Sequence, residues 1–396
     1  MDAQAATRPT AADLVQRSRE LALVLGERAL SAGKLRRMPD ETMDDFRRLG
    51  FWKAVQPKRY GGYELDPRVI YDMQLELGRG CGSSSWVFGV IAVHSWQLAL
   101  FPEQAQDDVW GKNPDTLISS SYMPVGKVEK VEGGVKLSGR WSFSSGCDHS
   151  DWVFLGSFMP PEPGAPPDMR TFLLPRSDYE IIDNWYVSGL KASGSKDIVV
   201  RDAFVPEHRM HKFSDGFKAS SPGNAVNPSA VYRYPFGQIH VHAVSTPALG
   251  VALGALDEYV GYIRAKVSQA TGGKAADSFC NQAAAADAAA LLDREVLALR
   301  RDFDEMWGHV EQGRPIPVDR RVRFRYDAAN AVNVSMAVVD RLFGASGGRV
   351  LFEDSTLNRH FQDVHAIGQH HANGMEKPSE NFGAVQLGKK SSDFFI

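Results

Sequence analysis

Three sets of side chains in this sequence have the types and spacing to do chemistry. The first is Gly139-Arg-Trp-Ser-Phe-Ser-Ser-Gly-Cys-Asp-His-Ser-Asp-Trp152. Arg140 to Phe143 alternate polar and bulky residues, as a strand with one buried face does. They run into Ser144-Ser145-Gly146, where hydroxyls and backbone N–H groups meet a flexible glycine. A second apolar run, 152–158, follows. Two strands joined by such a loop offer an aromatic wall and a row of small donors, and a planar heteroaromatic cofactor needs both. Taken alone, the stretch favours a plainer reading, a hairpin with a well-capped turn.

Histidines are the second set. His94 and Gln97 sit inside 86–101, a run apolar nearly all round that reads as a buried helix. A buried imidazole must hydrogen-bond to something, and that partner is usually structural. Near the C-terminus His365 reads as packed or capped, whereas His370, just past Gly368, is better placed to project into a cleft. No HExxH motif or facial triad accompanies them, so no metal site is expected. Without a GxSxG elbow, no nucleophilic triad is expected either. The third set is Ser119-Ser120-Ser121 at a strand end, which composition alone leaves as solvated serines. Gly344-Ala-Ser-Gly-Gly348 is evenly a helix C-cap or a backbone approach to a cofactor.

These groups need a scaffold, and the 396 residues suffice for two or three subdomains. Helical patterns occupy 10–32, 40–50, 67–80, 86–101 and 103–110. Strands are expected at 116–122, 127–131, 135–143, 152–158, 171–174, 179–187 and 196–204, as a small antiparallel barrel or sandwich. Residues 207–240 read as irregular. Long helices follow at about 247–270, 275–312, 318–344 and 358–373, the pattern of an extended four-helix bundle. The expected division is a helical domain over 1–114, a β domain over 115–215 and the bundle over 216–396. This order is not the alternation of a doubly wound α/β protein, and neither GxGxxG after a strand nor GxxxxGK[ST] occurs.

A net charge of −3 with scattered basic residues gives no footprint for nucleic acid. No apolar run is expected to approach the length of a membrane span, and the polar N-terminus reads as lacking a signal peptide's apolar core. Cys81, Cys147 and Cys280, odd in number and without a CxxC pair, point to a reducing cytoplasm.

The segment order and several motifs resemble the acyl-CoA dehydrogenase fold and, within it, the two-component flavin-dependent monooxygenases that hydroxylate phenols. The motifs are Cys81-Gly-Ser-Ser-Ser-Trp86, His94-Ser-Trp-Gln97, Ser119-Ser-Ser121, Trp141-Ser-Phe-Ser-Ser-Gly-Cys-Asp-His149, Lys191-Ala-Ser-Gly-Ser195, Phe204-Val-Pro-Glu-His208 and Gln362-Asp-Val-His-Ala-Ile-Gly-Gln-His370. The match spans about 33–375 and is similar to the oxygenases acting on 4-hydroxyphenylacetate and on the phenolic secosteroids of steroid degradation. The resemblance implies an α+β, acyl-CoA dehydrogenase-like enzyme and a homotetramer. It implies reduced flavin (FMNH2 or FADH2) delivered by a separate NAD(P)H:flavin reductase. O2 then adds at flavin C4a, and the hydroperoxide's distal oxygen is transferred ortho to a phenol hydroxyl.

By the same resemblance Ser145 lies at flavin N5, His94 and Ser120 orient the phenol, and His370 stands beside the flavin's reactive edge. Trp86, Ser119, Ser120, Ser121, Phe143, Ser144, Ser145 and His370 line the cofactor; Cys147 and His149 become turn and packing residues. Gly237 stands where the hydroxyphenylacetate enzyme has arginine, and Lys266 and Ser268 where relatives have Arg-Val-Arg, which leaves FMN against FAD open. An acyl-CoA dehydrogenase is the alternative, but it needs a carboxylate base, and Gly368-Gln-His-His-Ala-Asn373 offers none; Glu376 is a poor substitute. A flavin oxygenase acting on nitrogen, sulfur or indole is a further alternative. A non-catalytic scaffold gives no reason for a buried His94.

Overall fold

The computed structural model describes residues 8–267, 272–393 and 396; Ser268 therefore lies outside the described residues. Helix α1 (Ala11–Leu35) starts at a reciprocal cap between Thr10 and Asp13, which satisfies two N-terminal donors at once. Next come α2 (Asp40–Arg48), α3 (Arg68–Gly80), α4 (Gly82–Leu98) and α5 (Glu103–Trp110). In α4 every residue except Val90 is buried, so an apolar-all-round sequence has become a helix enclosed on all sides.

Eight strands follow: β1 (Ile118–Ser121), β2 (Lys127–Val131), β3 (Gly134–Ser144), β4 (Trp152–Phe158), β5 (Met169–Pro175), β6 (Glu180–Ile182), β7 (Lys196–Pro206) and β8 (Met210–Lys212). They form two four-stranded sheets, ordered β1-β4-β5-β8 and β2-β3-β7-β6. One pair departs from the antiparallel expectation: β1 and β4 run parallel. The chain leaves β1 for a hairpin in the other sheet before returning, and that detour permits a parallel neighbour. The expected strand over 179–187 shrinks to β6. Beyond it Asn184 turns to bond the Asp197 N–H through its side chain, and the Trp185 indole N–H donates to the Leu190 carbonyl. In β3 the register with β7 slips between Trp141 and Ser144, where Phe143 takes φ 68°. That bulge turns the Phe143 ring outward and leaves Ser144 buried.

After the short α6 (Phe213–Phe217) comes α7, spanning Phe236–Ala265. Its sequence start was expected near Pro247, the usual place for a proline in a helix. Instead Pro247 lies inside the helix. Its missing N–H leaves the Ala243 carbonyl without its helical donor, and side chains bond this carbonyl and the next. Gln74 Nε2 donates to Ala243 O at 2.9 Å, and Asn373 Nδ2 to Val244 O at 2.9 Å. The earlier start also corrects the view that no apolar run approaches a membrane span. By length and composition α7 qualifies, but 83% of its apolar window is covered by protein.

Helices α8 (Phe279–Val310), α9 (Val318–Ser346) and α10 (Thr356–Gly368) complete the bundle, and α11 (Glu376–Gln386) is an unanticipated addition against α9. The helix expected to reach 373 stops at Gly368 and re-forms as a 3-10 turn, His371–Asn373.

Helices α3 and α7 cross with their backbones touching: a Cβ added at Gly78 would lie 2.8 Å from Gly250 Cα. Gly78→Ala is expected to lower the urea midpoint by the equivalent of about 1–3 kcal/mol, because neither backbone can give way alone. Gly261→Ala on α7, with nothing within 4 Å of the new methyl, is expected to be neutral or stabilising by about 0.5–1 kcal/mol. Equal midpoints for the two variants would contradict the close crossing.

Candidate active site

Helix α4 carries both Trp86 and His94 into the interior. His94 Nδ1 stands 2.6 Å from the Ile118 carbonyl at the start of β1. A carbonyl only accepts, so Nδ1 holds the proton and Nε2 presents a lone pair. Burial brings its pKa down to about 4, the Ile118 bond opposing only in part, so His94 is neutral at pH 7.

His370 has the opposite tautomer. It caps the 3-10 turn His371–Asn373, with Nδ1 accepting from the Ala372 N–H at 3.2 Å. The proton therefore sits on Nε2. Burial lowers this imidazole to about 4 as well, with His371 and Arg325 adding repulsion.

A row of rings joins the two histidines. Successive centroids are 6.3 Å apart from His94 to Tyr122, 5.4 Å from Tyr122 to His240, 6.2 Å from His240 to His370 and 5.5 Å from His370 to Trp86. Sequence reasoning found both ends of this row and missed its middle. His240 lies in the stretch read as irregular, yet it stacks at 5.7 Å on Phe236, one turn earlier on α7. A helix start placed at Pro235 would have found it. Desolvation, reinforced by His370 and His94, brings His240 down to about 3.

The serines divide by strand alternation. Ser119 and Ser121 are buried on one face of β1, and Ser120 faces the other way, toward the Tyr122 phenol. Gln97 bonds the same phenol. Ser121 donates to the Ser142 carbonyl at 2.7 Å, tying β1 to β3. Ser145 Oγ takes the Trp86 indole N–H at 2.9 Å. The structure thus brings together His94, Ser120, His370, Trp86 and Ser145.

Ser119 and Ser144 have buried hydroxyls with no partner. Buried polar groups are rarely left so, and two unpaired hydroxyls, Ser144 next in sequence to the Trp86 partner Ser145 and Ser119 next to the His94 partner Ile118, fit the polar edge of a heteroaromatic ring. Phe143 is 66% exposed and meets Trp185 edge-on at 6.2 Å, so it stands at a rim rather than inside a wall. Cys147 bonds the Gly194 carbonyl and His149 the Met38 carbonyl, both as turn residues. Lys266 donates to Ser346 O at 2.7 Å, so Gly344–Gly348 takes its C-cap reading. Gly237 is buried in the first turn of α7, and Glu376 is exposed at the start of α11. The cluster named above contains no carboxylate.

Residues 242–374 match the family described as acyl-CoA dehydrogenase, C-terminal domain. The chain is 37% identical over 383 residues to the flavin-dependent monooxygenase, oxygenase subunit HsaA, of Rhodococcus jostii (strain RHA1), covering 96% of this chain and 100% of that one. It is 33% identical to the p-hydroxyphenylacetate 3-hydroxylase, oxygenase component, of Acinetobacter baumannii, covering 90% and 85%. The crystal structure of 3-HSA hydroxylase from Rhodococcus sp. RHA1 superposes with a TM-score of 0.92 at 36% identity, covering 97% and 99%.

The buried neutral histidines make stability depend on pH. His94 titrates near 6.5 when unfolded and near 4 when folded. The unfolded chain therefore binds the extra proton between those values, and the stabilisation, full above pH 6.5, is lost as pH falls to 4. His94→Asn should flatten the unfolding free energy over this window by on the order of 3 kcal/mol relative to the parent. Parallel pH profiles in denaturant titrations would show instead that His94 is not held neutral.

Proposed function

The chain belongs to the oxygenase subunits of flavin-dependent monooxygenases, built on the acyl-CoA dehydrogenase fold, and on that premise we propose that the His94–His370 site hydroxylates a phenolic aromatic substrate. Reduced flavin, when bound, supplies the two electrons that split O2, so that one oxygen enters the ring and the other leaves as water. A separate flavin reductase delivers it, as the relatives' designation as oxygenase subunit or component suggests.

One observation carries the reading: two neutral imidazoles of opposite tautomer within one aromatic row. His94 Nε2 accepts the phenol's proton, which raises electron density at the ortho carbon. Ser120, facing Tyr122, orients the same hydroxyl. His370 Nε2–H is a donor toward the cofactor's edge. Trp86, Ser119, Ser144 and Ser145 hold the flavin ring, Phe143 borders it, and Ser121 keeps the β1–β3 seam closed behind it. Tyr122, Phe236 and His240 keep water from the reacting centre. A dehydrogenase would need a carboxylate base, and the site's residues include none.

The same proposal divides the chain near 114 and 215 and places it in the cytoplasm, which suits three free thiols. It also includes a homotetramer, to which the exposed Phe279, Leu291 and Leu297 of α8 lend apolar surface.

With enzymatically reduced FMN or FAD, isotopically labelled O2 and a panel of phenols, the protein should form catechols carrying one labelled oxygen. Recovery of all flavin electrons as hydrogen peroxide, with every phenol, would sink the proposal. His94→Asn should lower product formed per flavin oxidised about a hundredfold, with reduced-flavin affinity little changed. A parallel loss of flavin affinity would refute its assignment to the substrate.

A further inference from the structure

Ser145 is one end of a line of hydroxyls. Ser145 Oγ is 2.7 Å from Ser195 Oγ, which is 2.8 Å from Ser193 Oγ, and all three residues are buried. The loop that carries Ser193 and Ser195 is pinned from several sides. The Leu190 N–H donates to Asp363 Oδ1 at 2.7 Å, the Ala192 N–H to Ser83 Oγ at 3.3 Å and the Gly146 N–H to the Ser193 carbonyl at 2.9 Å. Leu190 and Gly194 hold φ of 50° and 54°, which leaves the loop little freedom to shift.

A hydroxyl has one hydrogen and two lone pairs. One lone pair of Ser145 is committed, because an indole only donates and Trp86 Nε1–H lies 2.9 Å away. One lone pair and one hydrogen remain, to be shared between Ser195 and the cofactor. The next step rests on the reading above that Ser145 meets flavin N5. Reduced flavin carries a hydrogen on N5, so Ser145 must offer N5 its lone pair and send its own hydrogen to Ser195. Ser195 then donates to Ser193. Oxidised flavin has a bare N5, to which Ser145 donates, and the line runs the other way, from Ser193 through Ser195 to Ser145.

We propose that Ser195 is a positioning residue that adapts the site to reduced flavin, by accepting the Ser145 hydroxyl hydrogen whenever N5 is protonated. Ser193 terminates the line. Removing Ser195's oxygen strands a buried donor only in the reduced-flavin complex. In the oxidised complex the Ser145 hydrogen already has N5.

Anaerobic titration of reduced FMN and FAD, and aerobic titration of the oxidised forms, reads this directly. Ser195→Ala should raise the Kd for reduced flavin about tenfold or more, the effect of one unsatisfied buried donor, and leave that for oxidised flavin within about threefold. Ser195→Thr, which keeps the hydroxyl, should restore the parent ratio. Equal weakening of both forms, with a lowered Tm, would mark a merely structural serine and overturn the proposal, as would no change in either. Ser145→Ala separates the two ideas. If it weakens reduced-flavin binding and Ser195→Ala does not, only the role of Ser195 falls; if Ser145→Ala alters neither form, the placement of Ser145 at N5 falls too.

Discussion

Pro247 takes one N–H out of the middle of α7, and the site hangs on what replaces it. The carbonyls of Ala243 and Val244 are clamped by Gln74 and Asn373. Gln74 belongs to α3 and also donates to the Ser85 carbonyl at 3.2 Å, while Ser85 Oγ donates back to the Gln74 carbonyl at 2.8 Å. One amide therefore locks α3, α4 and α7 together. The fit is close enough that a Cβ at Gly89 would land 1.8 Å from Gln74 Nε2. Asn373 closes the turn that begins at His370, and its side chain also bonds the Ile367 carbonyl. Trp86 and His94 ride on α4, His240 on α7 and His370 on that turn. Their relative positions follow from the carbonyl that the proline leaves without its helical donor and from its neighbour, Val244.

Charge is the second constraint. His94, His240 and His370 lie within one aromatic row, and a proton on any of them would be a cation in a poorly hydrated interior. Desolvation is the leading cause of all three depressed pKa values; repulsion from His370 and His94 adds to it at His240, and repulsion from His371 and Arg325 adds to it at His370. Neutrality is useful to the chemistry, since a protonated His94 could not accept from a phenol. The same interior raises the Asp363 carboxyl to about 6, although the Leu190 N–H and the charges of Arg359 and Lys191 oppose the shift. Asp363 thus serves as a backbone acceptor that fixes the serine loop.

Much of this was legible before the coordinates, and the failures have physical causes. The apolar-all-round run of α4 marked His94 as buried, and the hydroxyl-rich loop after the alternating run drew attention to Ser144 and Ser145. Pro247 misled because local preference places proline at a helix start, whereas here tertiary donors compensate for it in mid-helix. The error hid Phe236 and His240 in a segment read as irregular. The parallel β1–β4 pair was invisible because strand direction is set by the path of the chain rather than by alternation. The motif ending in Ser195 was visible as part of a resemblance. Its meaning is not local, since it depends on Ser145, 50 residues earlier in the sequence.

What the turn at His370 presents limits the chemistry it can serve. A carboxylate there accepts protons and would suit removal of hydrogen from a substrate. In this chain the imidazole's one acceptor nitrogen is occupied by the Ala372 N–H. A neutral imidazole so tied can only donate from Nε2. Three ring contacts away, His94 is tied at its other nitrogen and can only accept. The backbone partners, rather than the histidines themselves, decide which end of the site gives a proton and which receives one. A fixed donor at one imidazole and a fixed acceptor at the other suit the oxygen transfer to a phenol proposed above, and the residues of this cluster include no carboxylate of the kind that dehydrogenation of a thioester would require.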